Sequence, residues 1–531
     1  MRLTSKLLWA AGITAIFFAV SFLFLHPIYY SGDDAYLLYL LGGGFGSPPT
    51  ELLHYNHLMH PLIGWPIKSM FTVFPFINWF TIFLYGAHFI SITYILYLLL
   101  QKFSFVRAVM IHAVFFLVFE TFFLLHVTFT VTAVVAGIAG IAGLIVKSKE
   151  DGGWKKFIVP ALIVLMGSLF RIHLLIPLFI LSLPFVLALI GYSNKIKFTL
   201  AAAGLIAVIA LLNFGHKAYY QSGIPGWKKA EAYRQVVFEY FNSPIYYGNE
   251  PISAYDTKRQ WLEYGIFIDK EYLSPSAIKE IGRTVHFTRL RLNAAMKNSF
   301  YWLYVESRVF FVSVICMVSL LCWSSAMRYK IAIIASAAGA LAMICALIIF
   351  LKLPFYMVPS LLGAVIVFSA LGTNTDTVFE PRVMSFNWML LPFLCAGWGV
   401  VRAAKIDASN RELNEGFQRM HLEVKNHPSS LFVVTEDFFP IDFISVWDAP
   451  AKFPLPNVLF KDHFFNNTDG PILRRFGLRR PDDVWTNSNV LFWGRQMGAL
   501  KKYNREVKKR EINFSYPLPA FKDAEVRRVL R

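Results

Sequence analysis

Long apolar segments alternate with short polar connections along most of the chain. A helix of about 20 apolar residues crosses the hydrocarbon core of a bilayer. Segments that approach or exceed this length lie at 7–25, 77–100, 105–123, 127–146, 157–170, 174–191, 198–214, 301–323, 331–351, 354–372 and 384–402. The pattern predicts an all-α polytopic membrane protein with about 11 transmembrane helices. The fifth and sixth segments are interrupted around Gly167–His173, so they are either two helices or one broken helix.

The composition agrees with a membrane protein. Of 531 residues, 56% are hydrophobic and 16% are charged, whereas a soluble domain has about a quarter charged residues. The net charge of +18 suits anionic lipids or an anionic lipid substrate. Because the basic residues form short clusters between apolar segments, nucleic acid is not an expected partner. The four cysteines lie inside apolar segments and lack metal-binding spacing.

The distribution of lysine and arginine predicts the orientation and the domains. Basic residues between the apolar segments place the N-terminus in the cytoplasm, within a multi-pass protein of the inner (plasma) membrane. Residues 1–404 then form the transmembrane module, with external loops at 26–76 and 215–300. Residues 405–531 form a soluble C-terminal domain, extracytoplasmic by helix count. Strand-like segments at 430–435 and 489–493 predict that this domain is a small α/β fold.

Two adjacent carboxylates follow the first apolar segment. Asp33 and Asp34 come a few residues beyond the predicted membrane interface, where charge is costly unless it is used or hydrated. A carboxylate there is suited to act as a general base on an acceptor hydroxyl. The pair is also suited to bind a divalent cation through oxygen atoms. The structural alternative is that one of them is the N-cap of a helix that begins near Ala35.

The stretch Gly32-Asp33-Asp34 after a first helix, in a long first external loop, with many further helices and a C-terminal domain, resembles the GT-C superfamily. These are polytopic membrane glycosyltransferases that use lipid-phosphate-linked sugars. The resemblance implies a GT-C-like fold and transfer of a hexose or pentose from a polyprenyl-phosphate donor to a hydroxyl group of a glycan, lipid or protein acceptor. It further implies an active site on the extracytoplasmic face, with the first-loop aspartate activating the acceptor and inverting the sugar. We favour Asp34 as this base.

Other polar residues are candidates for binding donor or metal. The candidates for donor phosphate are cationic or imidazole groups near the ends of apolar segments: Arg171, His173, Lys217, Lys352 and Arg382. Each has the alternative of a side chain that reaches the interface, and the orientation places Arg382 in the cytoplasm. Glu120 and His126 are candidates for donor or metal contact, or form a polar pair at a helix end. His57 lies among three histidines spaced three apart (His54, His57 and His60), which suggests zinc, although no cysteine is near. Asp256, Trp261 and Asp269 are candidates for acceptor contact.

Two other functions share this architecture. A lipid-linked oligosaccharide flippase or other transporter would carry charged residues deep within its helices and internal repeats. The sequence has ionisable residues mainly near the ends of its apolar segments, which favours a transferase. A polysaccharide polymerase has the same architecture and remains an alternative.

Overall fold

The computed structural model describes most of the chain. The described residues are 3–29, 31–51, 59–189, 191–242, 256–284, 296–297, 299, 301, 303–305, 307–323, 325–351, 353–373, 386–435, 440–459, 463, 469–494, 496–515 and 526–530. His57, Lys352 and Arg382 are therefore predicted site residues that lie outside the described residues.

Helices make up most of the described chain. In the first half they are α1 (Leu3–Phe24), α2 (Gly32–Gly42), α3 (Pro61–Val73), α4 (Trp79–Lys102), α5 (Phe105–Phe115), α6 (Thr121–Leu125), α7 (Phe129–Lys149), α8 (Ile158–Arg171), α9 (Leu175–Leu187) and α10 (Tyr192–Gly223). In the second half they are α11 (Trp227–Phe241), α12 (Thr257–Glu263), α13 (Pro275–Thr284), α14 (Arg308–Trp323), α15 (Met327–Phe350), α16 (Met357–Gly372), α17 (Phe386–Asn426), α18 (Asp469–Arg475) and α19 (Met497–Glu506).

Membrane-spanning length is reached by seven helical segments within the described ranges. They are Thr4–Phe24, Trp79–Lys102, Phe105–Leu125, Phe129–Lys149, Trp154–Leu187, Tyr192–Gly223 and Met327–Phe350. Two further apolar helices, α14 and α16, are shorter. The predicted class, a polytopic all-α membrane protein with a small C-terminal α/β domain, is confirmed.

The segment Trp154–Leu187 reverses direction at Arg171. Arg171 has an extended backbone, with φ −160° and ψ 102°, which ends α8. Val164 in α8 faces Gly140 of α7, and Arg171 contacts the first turn of α7, so these two helices are antiparallel. After the turn, Phe185 of α9 reaches Gly372 at the far end of α16. The fifth and sixth apolar segments are therefore two helices that pack in opposite directions.

Helix α7 is the centre of the bundle because small residues let its neighbours approach closely. Gly137 faces Leu175 and Leu178 of α9, and Gly143 faces Tyr94 of α4. Nearly all side chains of α7 are buried. Its first turn, which lies at the same end of the bundle as α2, is consequently held on several sides.

The opposite end of the bundle carries two lysines that cap α16. The Lys102 ammonium group donates to Ala370 O at 2.6 Å, and the Lys149 ammonium group donates to Gly372 O at 2.6 Å. A helix leaves its last carbonyl groups without partners and carries partial negative charge there, which favours cations.

The C-terminal part forms a five-stranded sheet in the order β2-β1-β3-β5-β4. The strands are β1 (Leu431–Val434), β2 (Val458–Leu459), β3 (Val490–Trp493), β4 (Asn513–Phe514) and β5 (Val526–Leu530). β1 pairs in parallel with β2 and β3, while β5 pairs antiparallel with β3 and β4. β1 and β3 occupy the two segments that the sequence predicted as strands. Helix α17 is continuous through 404/405, so the sheet begins only after this helix ends.

The C-terminal domain packs on the end of the bundle that carries α2. Asn78, the N-cap of α4, is buried and its amide nitrogen lies 2.8 Å from Val446 O and 2.9 Å from Asp448 O. The Tyr39 hydroxyl donates to Phe453 O at 2.7 Å. These bonds join the first external segment and the C-terminal domain into one structure.

The segment 256–284 packs against the same domain. The rings of Trp261 and Tyr503 have centroids 3.8 Å apart, and the Tyr503 hydroxyl donates to Asp269 at 2.5 Å. Asp256 caps α12 by accepting from the Arg259 N–H at 3.0 Å. These three predicted acceptor contacts, Asp256, Trp261 and Asp269, thus have structural partners.

Candidate active site

Helix α2 begins at the point where the two aspartates occur. Ser31 is the N-cap and Gly32 is the first helical residue, so Asp33 and Asp34 lie in the first turn. The capping alternative is therefore wrong, because neither aspartate is the N-cap. Acidic residues in a first turn are favoured by the partial positive charge of the helix N-terminus. The helix start is also close to the C-terminal domain, since a Cβ atom at Gly32 would lie 2.9 Å from Asp442 Oδ1.

Asp34 is almost fully buried, with 1% of its surface exposed. Its Oδ1 atom accepts a hydrogen bond of 2.7 Å from the Phe129 N–H, in the first turn of α7. Burial raises the pKa of Asp34 well above its usual value, and the neighbouring charge of Asp33 acts in the same direction. The bonds from Phe129 and Ser31 and the charge of Arg171 oppose this rise. A carboxyl group with a raised pKa is a stronger base once it is ionised.

Arg171 lies beside Asp34 because α8 ends next to the first turn of α7. Its Nη1 atom donates to the Thr130 hydroxyl at 2.7 Å, and its guanidinium carbon lies 5.7 Å from the centroid of the Phe129 ring. Arg171 is only partly buried. Within the described part of the chain, its Nε atom is buried and has no hydrogen-bond partner. The Nε–H group of Arg171 can thus donate to a further acceptor.

Tyr356 completes this cluster from a fourth element. It immediately precedes α16, is hydrogen-bonded to the Thr130 side chain, and interacts electrostatically with Arg171, Asp33 and Asp34. Burial raises the pKa of the Tyr356 hydroxyl. The arrangement brings two carboxyl groups, a guanidinium group and a phenol together where α2, α7, α8 and α16 begin or end.

Two further candidates for phosphate binding lie nearby and are exposed. His173 follows Arg171 in the turn between α8 and α9 and interacts electrostatically with both Arg171 and Lys217. Lys217 is exposed on α10. The three predicted phosphate-binding residues that the structure describes, Arg171, His173 and Lys217, therefore share one positively charged region.

Glu120 is not in this cluster. Its Oε1 atom lies 2.6 Å from His88 Nδ1, and both side chains are fully buried inside the bundle. The structure thus places Glu120 between helices rather than at the external turn that the sequence predicted, and its contact with donor or metal stays a prediction. His126 is buried beside Phe122, with ring centroids 5.0 Å apart. Burial lowers the pKa of His126 to about 3, and Arg402 contributes in the same direction.

The described part of the histidine-rich stretch has a structural role. His60 is the N-cap of α3: its Nδ1 atom accepts from the Leu62 N–H at 3.1 Å. Its Nε2 atom lies 3.1 Å from Leu212 O and so donates to α10. Within the described ranges, no group of three or more histidine, cysteine, aspartate or glutamate side chains is arranged to hold a metal ion.

Sequence reasoning missed Thr130, Tyr356 and Asp442. Thr130 and Tyr356 do carry a weak signal, because each is a hydroxyl-bearing residue near the start of an apolar segment, where the chain changes from polar to apolar. Asp442 lies in the C-terminal domain, and only the three-dimensional packing brings it to Gly32.

Comparison with protein-family models gives no match, and comparison with curated protein sequences also gives none. Among solved structures, the chain is similar to the crystal structure of ArnT from Cupriavidus metallidurans in the apo state. The TM-score is 0.53 at 10% sequence identity, and the alignment covers 98% of each chain. ArnT is a GT-C glycosyltransferase. The chain of 531 residues therefore has the GT-C fold over nearly its whole length.

Proposed function

We propose that the protein is a membrane glycosyltransferase that moves a sugar from a polyprenyl-phosphate donor to a hydroxyl group of an acceptor, with Asp34 as the general base. The observation that carries the proposal is the buried contact between α2 and α7: Asp34 accepts the Phe129 N–H and lies within electrostatic range of Arg171. A base and a phosphate-binding cation side by side, in a GT-C fold, are what this reaction requires.

Asp34 acts on the acceptor. Because Oδ1 is held by the Phe129 N–H, the other carboxylate oxygen is the one assigned to the acceptor hydroxyl. As the acceptor oxygen attacks the anomeric carbon, its proton moves to Asp34. The bond between that carbon and the phosphate oxygen breaks, and its electron pair leaves with the polyprenyl phosphate. Attack from the face opposite the leaving phosphate inverts the configuration.

Arg171 acts on the donor. Its Nη1 atom is bound to Thr130, which fixes the guanidinium group beside the aspartates. The Nε–H then donates to a phosphate oxygen and stabilises the charge that develops on the leaving group. Lys217 adds positive potential and attracts the anionic headgroup, His173 offers an imidazole hydrogen bond beside Arg171, and Arg382 and Lys352 are kept as candidates for phosphate binding. Asp33 is proposed to tune the base rather than to replace it.

The orientation and the acceptor are also part of the proposal. Basic residues such as Lys102 and Lys149 lie at the end of the bundle remote from α2, which supports a cytoplasmic location for that end. The active site and the C-terminal domain then face the extracytoplasmic side of the plasma membrane. The acceptor is a glycan, lipid or protein hydroxyl presented there.

Reconstitution in proteoliposomes tests the proposal. Polyprenyl phosphates carrying radiolabelled hexoses or pentoses are supplied with a cell-envelope extract as acceptor. Label is expected to move to the acceptor with the wild-type chain and to stay on the lipid with Asp34→Asn. A panel in which no sugar moves with the wild-type chain would contradict the proposal.

A second assay separates transfer from transport. A fluorescent lipid-linked oligosaccharide is placed in one leaflet of the same vesicles. If it crosses the bilayer with its glycosidic bond to phosphate intact, the protein is a flippase. The buried Glu120–His88 pair is the feature that a transporter would use, so Glu120→Gln is the matched variant for that assay.

A further inference from the structure

A π-helical turn separates α5 from α6. It covers Phe116–Glu120, and the Thr121 hydroxyl donates to Phe116 O at 2.9 Å within it. Such a turn adds one residue to a helix and rotates the following side chains by about 100°. Short π-helical turns are frequent at functional sites. Here the turn ends at Glu120 and directs its carboxylate into the bundle.

The carboxylate of Glu120 meets His88 of α4 in a closed polar cluster. His88 Nδ1 lies 2.6 Å from Glu120 Oε1, and His88 Nε2 lies 3.1 Å from the Thr132 hydroxyl of α7. That hydroxyl donates its one hydrogen to Thr128 O at 2.9 Å, so His88 Nε2 must donate to it. The 2.6 Å contact between His88 Nδ1 and Glu120 Oε1 is then a hydrogen bond between these two atoms.

This cluster costs stability. Glu120 Oε2 is buried and, among the described residues, has no hydrogen-bond partner. Buried ion pairs are often no more stable than apolar residues of the same size. A costly polar cluster with an unpartnered oxygen, held by an unusual helical turn, points to a role other than folding.

Thr132 connects the cluster to the proposed base. Thr128, the N-cap of α7, has its carbonyl group bound by Thr132 and its hydroxyl group bound by the Val131 N–H at 3.0 Å. Phe129 follows Thr128 directly, and the Phe129 N–H is the group that donates to Asp34. The first turn of α7 is therefore held by the bundle interior on one side. On its other side the Phe129 N–H, which has no partner within the helix, donates to Asp34.

We propose that Glu120, His88 and Thr132 are positioning residues for the base, because they fix the first turn of α7 and so hold the Phe129 N–H at Asp34. This inference rests on the proposed function of Asp34. The hydrogen bond from Phe129 favours the ionised carboxylate, so loosening it raises the pKa of Asp34. The titratable and charged groups that face Asp34 from the surrounding elements are Asp33, Tyr29, Arg171 and Tyr356, with Asp442 approaching Gly32.

Infrared difference spectroscopy of the intact protein in lipid nanodiscs tests the positioning role without any substrate. The carbonyl band of protonated Asp34 is identified by its loss in Asp34→Asn and is then titrated with pH. Thr132→Val removes the hydroxyl and keeps the shape, so the midpoint is expected to rise by about one pH unit. Thr132→Ser keeps the hydroxyl and is expected to titrate like the wild type.

Failure of the positioning role and failure of the proposed transferase function give different results. Unchanged midpoints in both Thr132→Val and His88→Phe would overturn the positioning role, because replacing residues that affect only folding would change the melting temperature and leave the titration of Asp34 in place. The pH profile of transfer is expected to shift upward with the midpoint in Thr132→Val. A wild-type chain without transferase activity, but with the Thr132→Val shift, would contradict the proposed reaction and still support the positioning role.

Discussion

The substitution Asp34→Asn separates the proposed base from its structural surroundings. The asparagine side chain keeps a carbonyl oxygen that can accept the Phe129 N–H, which donates at 2.7 Å to Asp34 in the wild type. It cannot accept a proton from the acceptor hydroxyl. Loss of a general base lowers a rate by about 10²–10⁴-fold, which corresponds to about 2.7–5.5 kcal/mol in the activation barrier. The rate at which radiolabelled sugar is transferred in proteoliposomes is expected to fall by a factor within this range or by a larger one.

The stability of Asp34→Asn is expected to stay the same or to rise, although its activity falls. Burial raises the folded-state pKa of Asp34 above its unfolded value, so ionisation favours unfolding once the pH exceeds the unfolded value of about 3.9. Asparagine removes this cost. The melting temperature of Asp34→Asn is therefore expected to equal or exceed that of the wild type at pH 8, and the difference is expected to shrink toward pH 4.

Asp33→Asn is the matched control in the same helical turn. Asp33 is partly exposed and its charge raises the pKa of Asp34. The variant is expected to keep activity within roughly tenfold of the wild type and to shift the pH–rate profile downward. Wild-type rates in Asp34→Asn, or a loss in Asp33→Asn as large as that in Asp34→Asn, would refute the assignment of the base.

Three further substitutions address the rest of the site and its support. Arg171→Ala is expected to raise the KM for the lipid-linked donor by about 10–100-fold, with Arg171→Lys intermediate; an unchanged KM in steady-state assays would remove Arg171 from donor binding. Tyr356→Phe loses the bond to Thr130 and is expected to cost about 1 kcal/mol of stability in thermal unfolding; unfolding identical to the wild type would show that this bond contributes nothing. Asn78→Ala removes an N-cap and two bonds to the C-terminal domain, with an expected loss of about 2–4 kcal/mol; a fully stable variant would mean that this junction is not needed.

The sequence carried enough information for the bundle and for three residues of the candidate site, Asp33, Asp34 and Arg171. Apolar segments of spanning length predict helices reliably, because lipid requires every backbone group to be bonded within the segment. Asp33 and Asp34 stood out because adjacent charges beside a membrane interface are costly. Arg171 stood out because it interrupts an apolar segment, and the structure brings it to Asp34.

The remaining features depend on local geometry or distant packing. Glu120 looked like a residue of an external turn, and a single π-helical turn instead directs it to His88. Periodicity alone does not reveal such a turn, because it is one residue out of register with the α-helix on either side. Tyr356 reaches Thr130 across more than two hundred residues of chain, and nothing in the local sequence of either residue indicates that contact.

The short segment before α2 has a consequence for biogenesis. Ile28 forms isolated β-bridges with His126 and with Ser445, and Pro27 O accepts from the Val446 N–H. The segment that leads to the aspartates is synthesised well before its partner at 445–446, which follows about four hundred residues later in the chain. Contacts of such long sequence separation form slowly. A nascent chain can thus insert many of its helices before the contacts that hold the segment ahead of α2 have formed.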